Sequence, residues 1–414
     1  MNQSIAFHTL GCKQNQFDSQ SLRVRLLELG FREARKLESA RWIIVNTCAV
    51  TNRAIAKARG EISRLRRLNP DAEIIAVGCG VRYQPEHFSA ADYVDTFPPA
   101  LRLKGDDGEK NEIGADLPSP HGLIPAGRSR AMLRIQNGCD QFCSYCIVPH
   151  LRGRSRSVPA EDCIAALREL LAGGIAEIVL TGTNIALWGR DLPGSPTLID
   201  LLKSLVLEAG DSRIRLSTLE PQLISPDFIA WCLSQPQICT HFHLAVQSAS
   251  PRILTRMQRG EGPSDLYGFL RDLKCSRPEI SIGADVIAGF PGETQADFEL
   301  TLNLIESIPF DYLHVFPFSE RPGTKAANLG DRVPVSERLK RAKVLRERDK
   351  LQRESFIQIN AGKSQDVVIL ERNRFGHREG LTSNYRHVTF NDDFQPPGYR
   401  FTIPIEKCGS FLYK

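Results

Sequence analysis

The sequence predicts an α/β protein in three parts: an N-terminal three-layer α/β domain with a parallel sheet, a central partial (β/α)6 barrel, and a small C-terminal all-β module. Three observations carry this. Across residues 1–97 an apolar run, a helical stretch and a further apolar run recur in units of about thirty residues. Beyond residue 128, six strand-like runs alternate with helical segments. After residue 361 the helical period gives way to short alternating runs broken by Gly and Pro.

In the first part the apolar runs are 5–10, 42–45 and 74–77, and amphipathic stretches at 17–29 and 54–68 separate them. A β-α-β-α-β order with short connections implies parallel strands whose carboxyl ends share one edge. Each run leads into a cysteine, as Gly11-Cys12, Asn46-Thr47-Cys48 and Gly78-Cys79, so three cysteines distant in sequence are expected at one place. Residues 98–128, rich in Pro, Gly and Asp, read as a linker. The barrel runs are 132–136, 177–180, 213–217, 241–246, 280–287 and 312–316, too few for a closed eight-fold barrel, with the active site expected at the strands' carboxyl ends. Val335–Asn360 reads as one long basic helix that ends the barrel domain, 129–360. The last part, 361–414, offers runs at 366–370, 387–390 and 399–405, too little for an independent core unless it docks. Trimming the chain after Asn360 is expected to spare the barrel's chemistry.

Composition bounds the function classes. A chain of 414 residues with 42% hydrophobic and 24% charged residues has room for at least two domains, and no apolar run approaches a membrane span. A soluble, cytoplasmic protein with no membrane partner is expected. Eleven cysteines, several in tight clusters, suit metal binding in a reducing compartment better than a disulfide framework. The net charge is +5, but arginines gather at Arg64, Arg66 and Arg67, at Arg152, Arg154 and Arg156, and along 338–353, as phosphate-holding patches do.

The strongest motif is Cys139-Asp-Gln-Phe-Cys143-Ser-Tyr-Cys146. Three thiolates at this spacing wrap a cubane cluster and leave one iron open to a chelating substrate. A structural zinc site needs a fourth protein ligand, for which His150 is the neighbour, so a zinc-stabilised RNA-binding protein is the non-enzymatic alternative. The motif, with Tyr145 before its third cysteine and a β/α barrel behind it, resembles the radical S-adenosylmethionine (SAM) superfamily. The resemblance implies a [4Fe-4S] cluster on Cys139, Cys143 and Cys146, and reductive SAM cleavage. It also implies SAM contacts at Tyr145, at Thr181, Gly182, Thr183 and Asn184, at Ser217 and Glu220, at Gln247, and along the segment from Asp285 through Gly289 and Gly292 to Glu293.

Together with Thr9-Leu-Gly-Cys12-Lys13-Gln-Asn15, Asn46-Thr47-Cys48 and Gly78-Cys79, the chain resembles the methylthiotransferases over nearly its whole length. That resemblance implies a second [4Fe-4S] cluster on Cys12, Cys48 and Cys79, a TRAM-like RNA-gripping module at the C-terminal end, and an electron donor such as flavodoxin or ferredoxin. The segments from Arg152 to Arg156 and from His243 to Ser248 fit the family. Gln247-Ser248-Ala249-Ser250 and the Gly-Glu after Arg259 depart from its pattern. Lys13-Gln-Asn15, Leu133 to Cys139, and Gly380 to Tyr385 resemble the branch acting on tRNA with N6-threonylcarbamoyladenosine at position 37. The alternatives within the family are isopentenyladenosine tRNA and a ribosomal-protein aspartate. The threonylcarbamoyl carboxylate calls for a charged or hydrogen-bonding partner, with Lys13, Arg152, Arg154 and Arg156 as candidates. Cys163, Cys232, Cys239, Cys275 and Cys408 have no paired spacing and are expected to be structural.

Overall fold

The computed structural model describes residues 3–97, 101, 129–260, 262–372, 376–390 and 396–404. Its N-terminal sheet comprises β1 (Ser4–Thr9), β2 (Arg32–Glu33), β3 (Trp42–Thr47), β4 (Glu73–Gly78) and β5 (Tyr93–Val94), all parallel, in the order β2-β1-β3-β4-β5. The two-residue edge strands are too short to carry a period and were not expected. Strand side chains alternate between two apolar layers, which makes the domain three-layered. Ile43, Val45 and Ile74 pack on Ile55, Ile62 and Leu65 of helix Asn52–Leu68. Ile44, Ile75 and Val77 pack with Leu22 and Leu26 of helix Lys13–Glu28 on the opposite face. Thr51 starts the second helix by accepting a hydrogen bond from the Ala54 amide at 3.1 Å. The expected linker lies outside the described residues except for Leu101, which is buried in the Ile5 layer.

The barrel strands are β6 (Arg130–Arg134), β9 (Glu177–Thr181), β10 (Arg213–Leu216), β11 (His241–Gln247), β12 (Ser281–Ala288) and β13 (Tyr312–Pro317). Between the first two, the short antiparallel pair β7 (Gln136–Asn137) and β8 (Arg156–Ser157) closes the base of the cysteine loop. Parallel pairing gives two three-stranded arcs, β10-β9-β6 and β11-β12-β13, joined by parallel bridges at Ile214–Ile238 and Leu219–Leu244. All six expected strands are present. The outward residues, such as Ile178, Leu180, Ile214, Leu216, Phe242 and Leu244, form one core with the surrounding helices. Their alternates, Arg213, Arg215, His241, His243 and Glu177, are buried and polar. Gly283 lies against the Tyr312 ring, where a Cβ would come within 2.2 Å, and so lets that ring lie across the barrel interior.

The C-terminal sheet is antiparallel, in the order β16-β15-β14-β17, from β14 (Ser364–Arg372), β15 (Arg378–Thr382), β16 (His387–Phe390) and β17 (Arg400–Pro404). β15 was not anticipated, because Arg378-Glu379-Gly380 shows no apolar alternation. The module docks on the barrel's amino-terminal end. Arg213 donates to the Asp366 carboxylate at 3.0 Å and to the Leu381 carbonyl at 2.7 Å, and Arg215 donates to the Thr382 and Ser383 carbonyls at 3.0 and 2.9 Å. The sheet therefore forms the barrel's floor, which argues against the expectation that trimming after Asn360 spares the barrel's chemistry.

Two further expectations change. Helix Val335–Asn360 forms as expected, but its basic run is largely paired: Arg338 with Glu320, Arg341 with Glu293, Arg348 with Glu306 and Arg353 with Asp349. Cys163, Cys232 and Cys239 are buried, whereas Cys275 is exposed and packing does not account for it; Cys408 lies outside the described residues. Among the described residues no helix is long and apolar enough to cross a membrane.

Candidate active site with two cysteine triplets

Cys12, Cys48 and Cys79 follow the neighbouring strands β1, β3 and β4, so pairing in the sheet brings them together. Gly11, at φ +110°, lets the chain pass close: a Cβ there would lie 2.9 Å from Cys48 Cβ and 3.2 Å from its Sγ. Asn15 Oδ1 accepts from the Cys12 thiol at 3.7 Å and the Cys79 thiol at 4.0 Å, while its Nδ2 donates to the Leu10 and Thr47 carbonyls at 3.0 and 2.8 Å. Burial pushes the Cys48 thiol up to about 11, with Cys12 and Cys79 adding to the rise. Burial also raises Cys79, opposed by Arg152. Three adjacent thiols with a cation beside them form a site that favours thiolates once metal is bound.

Arg152 also joins the two domains. Its Nη2 donates to Asn15 Oδ1 at 3.0 Å and to Asp18 Oδ2 at 2.8 Å, and Asp18 accepts a second bond from Arg134 at 3.0 Å. Gln14 reaches Thr181 at 3.5 Å, and Arg321 donates to Asn52 at 2.9 Å. The N-terminal domain thus caps the barrel at the carboxyl ends of its strands.

Cys139, Cys143 and Cys146 lie on the loop between β7 and β8. The loop is tight: Gly138 has φ +73°, with the Arg154 carbonyl oxygen only 1.9 Å from where a Cβ would sit, and Phe142 takes φ +47°. Burial raises all three thiols, Cys146 to about 12. Arg259 holds this loop against the barrel, donating to the Glu220 carboxylate, to the Ala245 carbonyl at 2.6 Å, to Tyr145 Oη at 3.1 Å and to Cys143 Sγ at 3.9 Å. Asn184 Nδ2 donates to Gln141 in the same loop at 3.1 Å. Tyr145 and Phe290 meet edge to face at 6.4 Å. Among the described residues the trio whose metal-ligating atoms all lie within 4.8 Å of one another is His243, Asp285 and His314. Neither cysteine triplet is so compact. Sulfurs sharing one zinc at about 2.3 Å sit roughly 3.8 Å apart, so the thiols suit a polynuclear cluster better than a single ion.

A cavity of about 440 Å³ opens between the domains. Cys12, Cys48 and Cys79 border it on one side, and Thr181, Gly182, Thr183 and Ser217, four of the expected SAM contacts, on the other. Tyr145, Asn184 and Glu220 gather instead around the second triplet, directly or through Arg259. Gln247 ends β11 at a bulge with φ +63° and does not line the cavity.

The cavity's deep end holds His241, Tyr312 and His314, which the sequence reading did not select, together with His243, Asp285 and Tyr385, which it had placed only within motifs. Tyr312 Oη bridges His241 Nε2 at 2.7 Å and His243 Nδ1 at 2.9 Å. Asp285 Oδ1 bridges His243 Nε2 at 2.9 Å and His314 Nδ1 at 3.0 Å. Burial, with Arg215 next in effect, keeps His241 well below the usual imidazole range, so it is neutral at pH 7. Tyr385 rises from the C-terminal module and stacks on His241 at 4.5 Å. The period-two alternation Arg213-Ile-Arg215-Leu216 and His241-Phe-His243-Leu244 was the available signal for this polar interior.

The four carboxylate candidates separate. Lys13 lines the cavity; Arg152 lines it too, but is committed to Asp18 and Asn15; Arg154 and Arg156 are exposed and lie outside it.

Residues 4–97 match the family described as uncharacterized protein family UPF0004, and residues 133–305 match the radical SAM superfamily. The fold resembles the radical SAM methyltransferase TsrM of Kitasatospora setae, with a TM-score of 0.54 at 14% identity over 79% of this chain and 77% of that one. Fold and site thus define a radical SAM protein with an additional cysteine-bearing domain. The chain is 35% identical over 90% of its length to the threonylcarbamoyladenosine tRNA methylthiotransferase MtaB of Rickettsia prowazekii, covering 89% of that protein. It is 32% identical to the MtaB of Aquifex aeolicus, covering 92% of this chain and 95% of that one. It is also 35% identical to a tRNA-2-methylthio-N(6)-dimethylallyladenosine synthase of Dictyoglomus thermophilum, over 97% of this chain and 95% of the relative. The chain belongs to the radical SAM methylthiotransferase family, with MtaB-type members among its relatives.

Proposed function

We propose that this protein converts N6-threonylcarbamoyladenosine at position 37 of tRNA to its 2-methylthio derivative, within the tRNA methylthiolation common to its curated relatives. Carbon 2 of adenine carries a hydrogen that is not acidic and no leaving group, so acid–base chemistry has nothing to act on. Bound SAM and two [4Fe-4S] clusters supply the radical chemistry and the sulfur. Cys139, Cys143 and Cys146 hold one cluster, and Cys12, Cys48 and Cys79 hold the other. The protein's own part is to bring the first triplet and the expected SAM contacts to one cavity between the domains, and to fix the neighbouring loops through Arg152 and Arg259. Thr181, Gly182, Thr183 and Ser217 line the SAM side of that cavity.

One observation favours the threonylcarbamoyl base: the deep end of the cavity is furnished with His241, His243, Tyr312, His314 and Tyr385 rather than aliphatic side chains. A polar N6 substituent can hydrogen-bond to such a surface, including His241 Nδ1, which has no partner, whereas an isopentenyl group offers it nothing. The test presents reconstituted enzyme with two tRNAs, one bearing each modification, and analyses the digested nucleosides by mass. Methylthiolation of the threonylcarbamoyl tRNA in preference is expected; preference for the isopentenyl tRNA overturns the assignment.

A further inference from the structure

We infer that Lys13 reads the carboxylate of the substrate's N6 substituent, as the cation that selects an anionic modified base over a neutral one. The inference rests on the threonylcarbamoyl reading and adds a specificity-determining residue to it. Lys13 begins the first helix, directly after Cys12, yet its ammonium belongs to the barrel interior rather than to the first cysteine triplet. The charges it feels are those of Arg130, Arg215, Glu177 and Asp285, all on barrel strands. The cation beside Cys79 is Arg152, and the one beside Cys48 is Arg321. Lys13 stands where two openings meet: the cavity between the domains, and a second of about 680 Å³ that it shares with Arg23 and Arg130.

Lys13 is half-buried, and among the described residues its ammonium makes no hydrogen bond or ion pair. The acids around it are already engaged. Glu177 is saturated by Arg130, Arg213 and Arg215, and Asp285 by His243 and His314. A half-buried ammonium that lines a cavity and has no protein partner is free to take an anion that enters it. The other cations near the cavity are committed, Arg152 to Asp18 and Arg215 to Glu177 and the floor carbonyls. Lys13 is therefore the donor left for a carboxylate entering from the triplet side. Its compact ammonium with three rotatable donors suits a carboxylate whose approach is set by the rest of the base.

The test compares three anticodon stem-loops: one with the threonylcarbamoyl base, one with its carboxylate converted to a neutral carboxamide, and one with the isopentenyl base. The full-length, cluster-loaded protein is used as wild type, Lys13→Met and Lys13→Arg. The readout is the ratio of kcat/KM for carboxylate over carboxamide within each protein, which cancels differences in folding and cluster loading. Wild type is expected to favour the carboxylate by about 10- to 100-fold, the worth of a charge-assisted hydrogen bond. Lys13→Met is expected to bring the ratio near unity, and Lys13→Arg to keep part of it. A Lys13→Met ratio equal to that of wild type overturns the role of Lys13 and leaves the base assignment standing. Turnover by wild type of the isopentenyl stem-loop alone overturns both. Should Lys13→Met fail to fold, Lys13→Gln is read by the same ratio.

Discussion

Glu177→Gln tests whether the barrel is held by a buried charge network on its floor. The Glu177 side chain is fully buried and accepts from Arg130 Nε at 2.6 Å, Arg213 Nε at 2.7 Å, and Arg215 Nε and Nη2 at 2.9 and 2.8 Å. A glutamine keeps the shape but removes the negative charge that the three guanidiniums share, two of them fully buried, and leaves Arg213 only Asp366. Breaking a buried ion pair from one side costs about 3–5 kcal/mol, because the remaining charges keep their desolvation penalty. At roughly 2–4 °C per kcal/mol for a domain of this size, the melting temperature should fall by about 10 °C. The assay is anaerobic thermal unfolding followed by circular dichroism. Adding Arg215→Met should recover part of the loss by removing one uncompensated cation. Glu177 also sets an acid limit. Burial pushes its pKa up, but Arg130, Arg215 and Arg213 overcome this and hold it well below the usual glutamate range. The unfolded chain therefore binds the proton first: the stabilisation is complete above about pH 4.3, the ordinary value, and is lost as the pH falls towards the native one. A Glu177→Gln variant that melts within about 1 kcal/mol of wild type, with unchanged acid sensitivity, refutes the reasoning.

Anaerobic wild type should carry about eight irons, and replacing either cysteine triplet by alanine should leave about four. Replacing Cys139, Cys143 and Cys146 should abolish SAM cleavage as well, whereas replacing Cys12, Cys48 and Cys79 should leave uncoupled cleavage measurable; full iron in the second variant would remove the N-terminal site. Arg259→Met leaves Glu220 buried without its counter-charge and frees Tyr145, so SAM cleavage per iron should fall at least about tenfold, as judged by 5′-deoxyadenosine release. Trimming after Asn360 removes the Asp366, Leu381, Thr382 and Ser383 acceptors of Arg213 and Arg215, so both thermal stability and SAM cleavage should drop; intact cleavage in the trimmed protein would show that the floor is dispensable.

Local sequence determined the elements and the donor sets. The apolar runs place β1, β3, β4 and the six barrel strands, because burial on one or both faces imposes a short-range pattern. Cys139, Cys143 and Cys146 are adjacent in sequence, so their spacing alone declares an open metal site. The convergence of Cys12, Cys48 and Cys79 followed from parallel topology, which the β-α-β order fixes. What sequence left undecided depends on contacts between residues far apart in the chain. Asp18 binding both Arg134 and Arg152, Arg259 spanning Glu220 and Tyr145, and Tyr385 reaching the barrel from 144 residues beyond His241 leave no local period. The same limit explains the four basic candidates near the base. Lys13, Arg152, Arg154 and Arg156 are equal as letters, and only packing decides that Arg152 is consumed by Asp18, that Arg154 and Arg156 face outward, and that Lys13 lines the cavity. Sequence sets which chemistry a side chain can perform; the tertiary fold sets which partners have already claimed it.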